Sequence, residues 1–309
     1  MIPSFSSRFS SLQVAGKKIR VAFVSRTPPR LPKSADVLRR WSDTGSSLRS
    51  VYWRIANPRS YRLYWSDAGT FDLDPEKQRV RCFLRARASA NAVEEVLRGP
   101  VCSFFVMEQG LEPLHAGAVV IANRCLAFVG RPGAGKSTLV AWLTRMGARF
   151  LTDDLLPLRW RAGTVRALPG LPQLRLAPIH LHDLAGKGAQ PRKNGRKYTL
   201  PMDAGSARVS YPLALVYVLD RVPPSRHAAA TLSPMSPLQA FQMLVENTSN
   251  SALDAGWRLR KQMQIYGWIA ANVPTRRLVY PGGVHHLAQV RELLLKDLES
   301  GPPAGPAAR

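Results

Sequence analysis

The run Gly130-Arg-Pro-Gly133-Ala134-Gly135-Lys136-Ser137-Thr138 meets the spacing G-x-x-x-x-G-K-[ST]. Chemistry dictates those residue types. Glycines at 130, 133 and 135 let the backbone curl, so that the N–H groups from Gly130 through Ala134 to Thr138 converge on phosphate oxygens. They meet there at the positive end of the following helix. Lys136 is long enough to reach the β- and γ-phosphates, and the Ser137 hydroxyl can ligate Mg²⁺. An apolar strand (Leu126 to Val129) precedes the loop and a helical pattern (Leu139, Val140, Trp142, Leu143) follows, which is the context the motif needs. A nucleotide site with ATP and Mg²⁺ as cofactors is the expectation.

A phosphate loop does not say what receives the γ-phosphate; the acids around it do. Asp153 and Asp154 stand at the end of the strand after the loop helix. Neighbours on a strand point to opposite faces, so one carboxylate is expected at the nucleotide and the other towards the substrate or the sheet edge. One would hold Mg²⁺, the other accept a hydroxyl proton. The same pair also suits a turn or an N-cap. Asp220, ending the apolar run Leu213 to Leu219, reads either as a Walker-B aspartate or as a strand cap paired with Arg221. His115 begins the strand before the loop strand, and a hairpin would carry it to the phosphates; a satisfied turn histidine is the alternative. His180-x-His182 lacks a third ligand at supporting spacing and reads as the surface of a short helix. His285-His286 reads as the start of the last helix.

The elements that must position these groups follow from periodicity. Tyr61 to Trp65, Thr70 to Leu73 and Arg79 to Leu84 alternate like a meander, with turns at Asp67-Ala-Gly and Asp74-Pro-Glu-Lys. A helix capped by Ser89 follows, its apolar face resuming after Pro100. Pro28 to Ser50 mixes Pro, Ser, Arg and Lys without period and predicts a mobile loop or linker. Beyond residue 110 strands and helices mix. His115 to Ile121 and Cys125 to Val129 form a hairpin, Ser137 to Met146 a helix, and Leu155 to Trp160 with Val165 to Leu168 a second hairpin. Leu213 to Leu219 is a central strand. Helices at 237–246, 253–271 and 284–298 enclose a strand at 276–280. The expected fold class is α/β, a P-loop core with antiparallel additions and a small β-rich N-terminal module. The expected domains are 1–110, 111–300 and a disordered tail at 301–309, GPPAGPAAR.

Composition bounds the function. The 309 residues are 45% apolar and 21% charged, a normal globular balance. Against 20 Asp and Glu stand 44 Lys and Arg, a net charge of +24 that favours polyanionic partners. Three cysteines without paired spacing exclude a disulfide framework and a structural zinc. No apolar run is long enough to span a bilayer, and the start, MIPSFSSRFSSLQVAG, has no continuous apolar stretch, so a cytoplasmic protein with no membrane partner is expected.

Three segments together, Leu114-His115-Ala-Gly-Ala-Val, Gly130-x4-Gly-Lys-Ser and Leu151-Thr-Asp153-Asp154, resemble the catalytic domain of HPr kinase/phosphorylase. They resemble more closely the HPr-kinase-related serine kinases encoded beside peptide-modification genes, lasso-peptide precursor kinases among them. The resemblance covers about residues 110–220, and the meander around Tyr64-Trp65-Ser66-Asp67 resembles the N-terminal part of those kinases. It implies transfer of the ATP γ-phosphate to a serine hydroxyl of a peptide or small protein by a homo-oligomer. It implies His115 as an active-site histidine, Asp153 as the base and Asp154 as the metal ligand with Ser137. Gln173-Leu174-Arg175 falls where bifunctional members carry Glu-x-Arg; a glutamine cannot be an anionic Mg²⁺ ligand, which argues against a reverse phosphorylase activity. Arg175 remains a phosphate clamp by the same correspondence, its guanidinium fork suited to developing charge. The basic loop Lys187 to Lys197 falls where the family closes a loop over the phosphates, with Arg196 or Lys197 as transition-state cations or as solvated charge.

Three functions compete at this stage. A serine kinase acting on a peptide or small protein has the loop, the aspartate pair and His115 behind it, with the N-terminal module binding the acceptor or its leader. A small-molecule P-loop phosphotransferase would need a deep acceptor pocket. A nucleic-acid-binding or regulatory NTPase would use the +24 charge, yet no helix-turn-helix, RNP-type or finger motif accompanies it, so a nucleic-acid partner is not expected.

Overall fold

Short, partly alternating runs before residue 85 fold as a sheet. In the computed structural model residues 10–42, 49–55, 59–184, 191–194, 197–203, 209–223, 229–249 and 256–300 are described. The strands are β1 (Ser11–Val14), β2 (Lys17–Phe23), β3 (Ala35–Ser42), β4 (Arg49–Ile55), β5 (Ser60–Trp65), β6 (Gly69–Asp74) and β7 (Arg79–Leu84). They form one sheet in the order β1-β2-β7-β6-β5-β4-β3, antiparallel except for the pair β2–β7. The expected meander is β5 to β7. Helices α1 (Ala90–Val96) and α2 (Cys102–Glu108) run through a wide turn at Leu97–Val101 that accommodates Pro100. Ser89 takes the N-cap position but its side chain makes no cap hydrogen bond. Tyr61, Leu63, Phe71, Val80, Phe104 and Phe105 are buried, and Arg62 forks onto Asp72 directly across the β5–β6 pair, at 2.5 and 2.7 Å.

One expectation fails here. Pro28 to Ser50 is not wholly loop: β3 occupies Ala35–Ser42, and β4 starts at Arg49. A bulge between Val37 and Arg39 shifts the register and breaks the period-two pattern that would have announced the strand.

The remainder builds a mixed α/β body. Its strands are β8 (Glu112–Leu114), β9 (Gly117–Ile121), β10 (Arg124–Val129), β11 (Arg149–Thr152), β12 (Leu156–Arg161), β13 (Thr164–Ala167), β14 (Gln173–Leu176), β15 (Arg192–Asn194), β16 (Lys197–Pro201), β17 (Tyr211–Val222), β18 (Thr231–Pro234) and β19 (Thr275–Pro281). Its helices are α3 (Lys136–Arg145), α4 (Leu181–Leu184), α5 (Pro237–Glu246), α6 (Gly256–Asn272) and α7 (Leu287–Ser300). Nine strands share one sheet in the order β11-β9-β10-β17-β13-β12-β8, with β19 on β17 and β18 on β19. The strands β10, β17 and β19 are parallel. Strand β17 is apolar from Leu213 to Leu219 because both its faces are covered there. Leu215, Tyr217 and Leu219 pack with α3 and α7; Val216 and Val218 pack with Leu244 of α5 and Ile265 and Ile269 of α6. A small sheet, β14-β16-β15, adds Leu174, Leu176 and Leu200 to the α3 side.

The chain divides into two compact units, Met1–Gly110 with Ser249–Leu259, and Leu111–Thr248 with Arg260–Arg309. The tail at 301–309 lies outside the described residues. Among the described residues no helix is long and apolar enough to cross a membrane.

Candidate active site

The loop leaves the sheet at Val129 and enters α3 at Lys136, with Gly130, Gly133 and Gly135 all at positive φ. Gly135, at φ 97°, leaves no alternative: a Cβ there would lie 2.3 Å from the Tyr280 hydroxyl. That hydroxyl, reaching over from β19, donates to the Ala134 carbonyl at 2.7 Å and braces the loop from outside. The helix carries no side-chain N-cap. The N–H groups of Lys136, Ser137 and Thr138 therefore lack intrahelical partners and face the loop, as an anion site requires. Lys136 is buried, and its ammonium donates to the Gly130 carbonyl at 2.6 Å, inside the cradle. Burial holds its pKa below the usual lysine value, opposed by Asp154 and Asp153 nearby.

Strand β11 ends at Thr152, so Asp153 and Asp154 lie in a bend, not on a strand, and strand alternation does not sort their carboxylates. Asp154 sits at φ 77°. The bend is closed by the Thr152 hydroxyl, which donates to the Leu155 carbonyl at 2.7 Å, and backed by Gly170, where a Cβ would come within 2.0 Å of that hydroxyl. Asp153 is 3% exposed. Its Oδ2 accepts the Arg175 N–H at 3.0 Å, and the Ser137 hydroxyl lies in hydrogen-bond reach. Burial, and then the neighbouring Asp154 charge, push its carboxyl up to about 7, against the Arg175 and Ser137 hydrogen bonds. Its Oδ1 is buried without a hydrogen-bond partner.

His115 is not in a strand; it occupies the break between β8 and β9. The hairpin β9–β10, through the turn Ala122-Asn123 with both residues at positive φ, carries it towards the loop, and the pairing of β9 with β11 sets it beside the aspartates. Its Nδ1 lies 2.9 Å from the Asp154 carbonyl. A carbonyl only accepts, so Nδ1 carries the proton and Nε2 is left as an acceptor. Burial keeps the ring's pKa low, more than Asp154 raises it. Lys197, at the start of β16, is close enough to act electrostatically on His115, Lys136 and Asp153.

Other expected positions fall elsewhere or contribute differently. Arg175 reaches Asp153 through its backbone N–H. Asp220 pairs with Arg277 of β19, at 2.6 Å, and not with Arg221. Arg192 and Lys193 are exposed on β15; Lys187 and Arg196 lie outside the described residues. His182 is exposed on α4 and bonds Asp183, and His285-His286 form a tight turn just before α7.

Two contributors carry no motif. Asn247, which caps the C-terminus of α5, is nearly buried. Its Oδ1 accepts the Gly130 N–H at 3.2 Å, its carbonyl accepts the His115 N–H at 2.7 Å, and its Nδ2 donates to the Met243 carbonyl at 2.8 Å. It thus ties the phosphate loop to His115. Tyr280 is the second. Only an aromatic next to Pro281-Gly282 at the end of a predicted strand hinted at it, and nothing in the sequence marked Asn247.

The donors fit a nucleotide with Mg²⁺. Ser137 and the two aspartates offer hard oxygens, and the unpartnered Oδ1 of Asp153 is a buried acceptor that a cation or an incoming hydroxyl would satisfy. Among the described residues no group of three His, Cys, Asp or Glu side chains could hold a metal. Magnesium bound here would complete its shell with phosphate oxygens and water, its usual habit.

No family model and no curated protein matches the chain. Among solved structures, the HPr(Ser) kinase/phosphatase from Coxiella burnetii matches at 12% identity with a TM-score of 0.32, covering 60% of this chain and 97% of that one. At that score the likeness bears no weight, and the functional reading rests on the loop and the side chains around it.

Proposed function

We propose that the protein is an ATP-dependent kinase that phosphorylates a serine hydroxyl of a peptide or small protein, with a ribosomally made precursor of the lasso type as the acceptor. One observation carries the reading. A glycine loop with a buried lysine and an uncapped helix N-terminus shares its mouth with a buried, proton-holding carboxylate, Asp153, and with a neutral histidine, His115.

The N–H groups of the loop and of the first turn of α3, with Lys136, bind the phosphates and neutralise charge that builds up on them during transfer. Mg²⁺, held by Ser137 and Asp154, would add charge neutralisation between the phosphates. Asp153 accepts the serine proton as the serine oxygen attacks the γ-phosphorus; the bond to the β-phosphate oxygen breaks and ADP leaves with its electron pair. A carboxyl near 7 suits that task at neutral pH. His115, held through Nδ1 on the Asp154 carbonyl, flanks the aspartate pair and leaves Nε2 as an acceptor for a second donor on the incoming peptide. Lys197 faces the same charge. The N-terminal unit, whose edge strand β3 exposes Val37, Arg39, Arg40 and Trp41, would capture the acceptor or its leader. The chain works in the cytoplasm in this reading, as a homo-oligomer.

Intact-mass spectrometry of candidate acceptor peptides incubated with the protein, ATP and Mg²⁺ tests the proposal. The expected result is a gain of one phosphate on a serine, lost in Lys136→Ala. ATP bound or hydrolysed with no gain on any acceptor would overturn the peptide-kinase reading.

A further inference from the structure

A cavity of about 650 Å³ lies against the outer side of the phosphate loop, lined by Gly130–Ala134, by the end of β17 and by α5. Its size is that of a small-molecule site. Lys136, Asp153 and His115 are not among its walls. A nucleotide on the loop has two ends. The γ end must meet Lys136 and Asp153, so the nucleoside end has to leave the loop away from them.

The chemistry of the walls suits that end. Met235 and Met243 present polarisable thioethers, which favour flat aromatic faces. On α5, Gln242 and Glu246 stand one turn apart and line the cavity; both are exposed. A carboxamide offers a donor and an acceptor to a purine edge, and a carboxylate accepts from an exocyclic amine or from ribose hydroxyls. Arg131 and Arg221 add positive charge where an α-phosphate would pass. At the rim, Asp220 and Arg277 neutralise each other.

We propose that this cavity is the nucleoside site of the bound nucleotide, with Gln242 and Glu246 reading an adenine base and its ribose. The inference rests on the nucleotide reading above. It makes α5 the element that sets nucleotide selectivity and leaves the far side of the loop to the acceptor.

Titration calorimetry of the full chain with Mg²⁺ and either ATP or inorganic tripolyphosphate separates the two claims. The wild type binds both. The double variant Gln242→Ala, Glu246→Ala loses about tenfold or more for ATP, the scale of one or two lost hydrogen bonds, and nothing for tripolyphosphate. Lys136→Ala weakens both. A double variant that binds ATP as the wild type does overturns the nucleoside site while the nucleotide reading stands. Equal losses for both ligands overturn it too, since the loop and not a base contact was changed. A wild type that binds neither ligand overturns the nucleotide reading itself.

Discussion

Two aspartates follow apolar strand segments near the glycine loop, Asp153 in the bend after β11 and Asp220 within β17, and the protein treats them oppositely. Asp153 is 3% exposed, faces the Ser137 hydroxyl and the Arg175 N–H, and holds its proton up to about 7. The Asp220 side chain is 42% exposed and is satisfied by the Arg277 guanidinium. In sequence both are an acid after an apolar run. The difference lies in what surrounds each. A buried carboxylate beside another acid costs free energy that the fold must offset, whereas an exposed ion pair contributes little to stability. Such a cost, concentrated beside the glycine loop, is what supports Asp153 rather than Asp220 as the proposed base.

Substitution at each site should separate the two acids most widely. Asp153→Asn should lower the transfer rate by about 10²- to 10⁴-fold, the scale of a general base, while ATP binding persists. Asp220→Asn should change it by less than about threefold. Equal losses would erase the distinction. The pH profile sharpens it: kcat/KM should rise with pH through about 7 as Asp153 gives up its proton, and Asp220→Asn should leave that profile unmoved.

Stability follows the same group. The folded chain holds a proton on Asp153 that the unfolded chain releases near 3.8, so stability from this group is greatest below about pH 4 and is lost as pH rises to about 7. Asp153→Asn should therefore melt above the wild type at pH 8, with a gain of order 1 kcal/mol or more, and near it at pH 4. Asp220→Asn should show no such crossover. A wild-type advantage at pH 8 would refute the burial argument.

Asn247→Ala should cost about 1–3 kcal/mol in denaturant unfolding, because it strips the Gly130 N–H of its acceptor, and it should also weaken ATP binding. Tyr280→Phe is the smallest change, about 1 kcal/mol, from the Ala134 carbonyl left without its donor.

Much of the site is legible in the residues. The loop, its flanking strand and helix, the β9–β10 hairpin and the central strand β17 all announce themselves, because local periodicity and turn chemistry suffice for them. What escapes comes from far along the chain. Asn247 and Tyr280 reach the loop across more than a hundred positions, and no local pattern encodes such a meeting. Arg175 meets Asp153 through an N–H that every non-proline residue possesses, so that contact leaves no trace in the residue type. Strand β3 hides behind its bulge, and Asp153-Asp154 mimic a strand end while folding as a bend.

The most direct test follows the phosphate. In a single turnover with γ-labelled ATP, excess protein and a serine-bearing precursor peptide, label should move to the peptide serine in the wild type and in Asp220→Asn, and stay on ATP in Asp153→Asn. Label released as inorganic phosphate, or carried to the peptide equally by all three proteins, would contradict a serine kinase that works through Asp153.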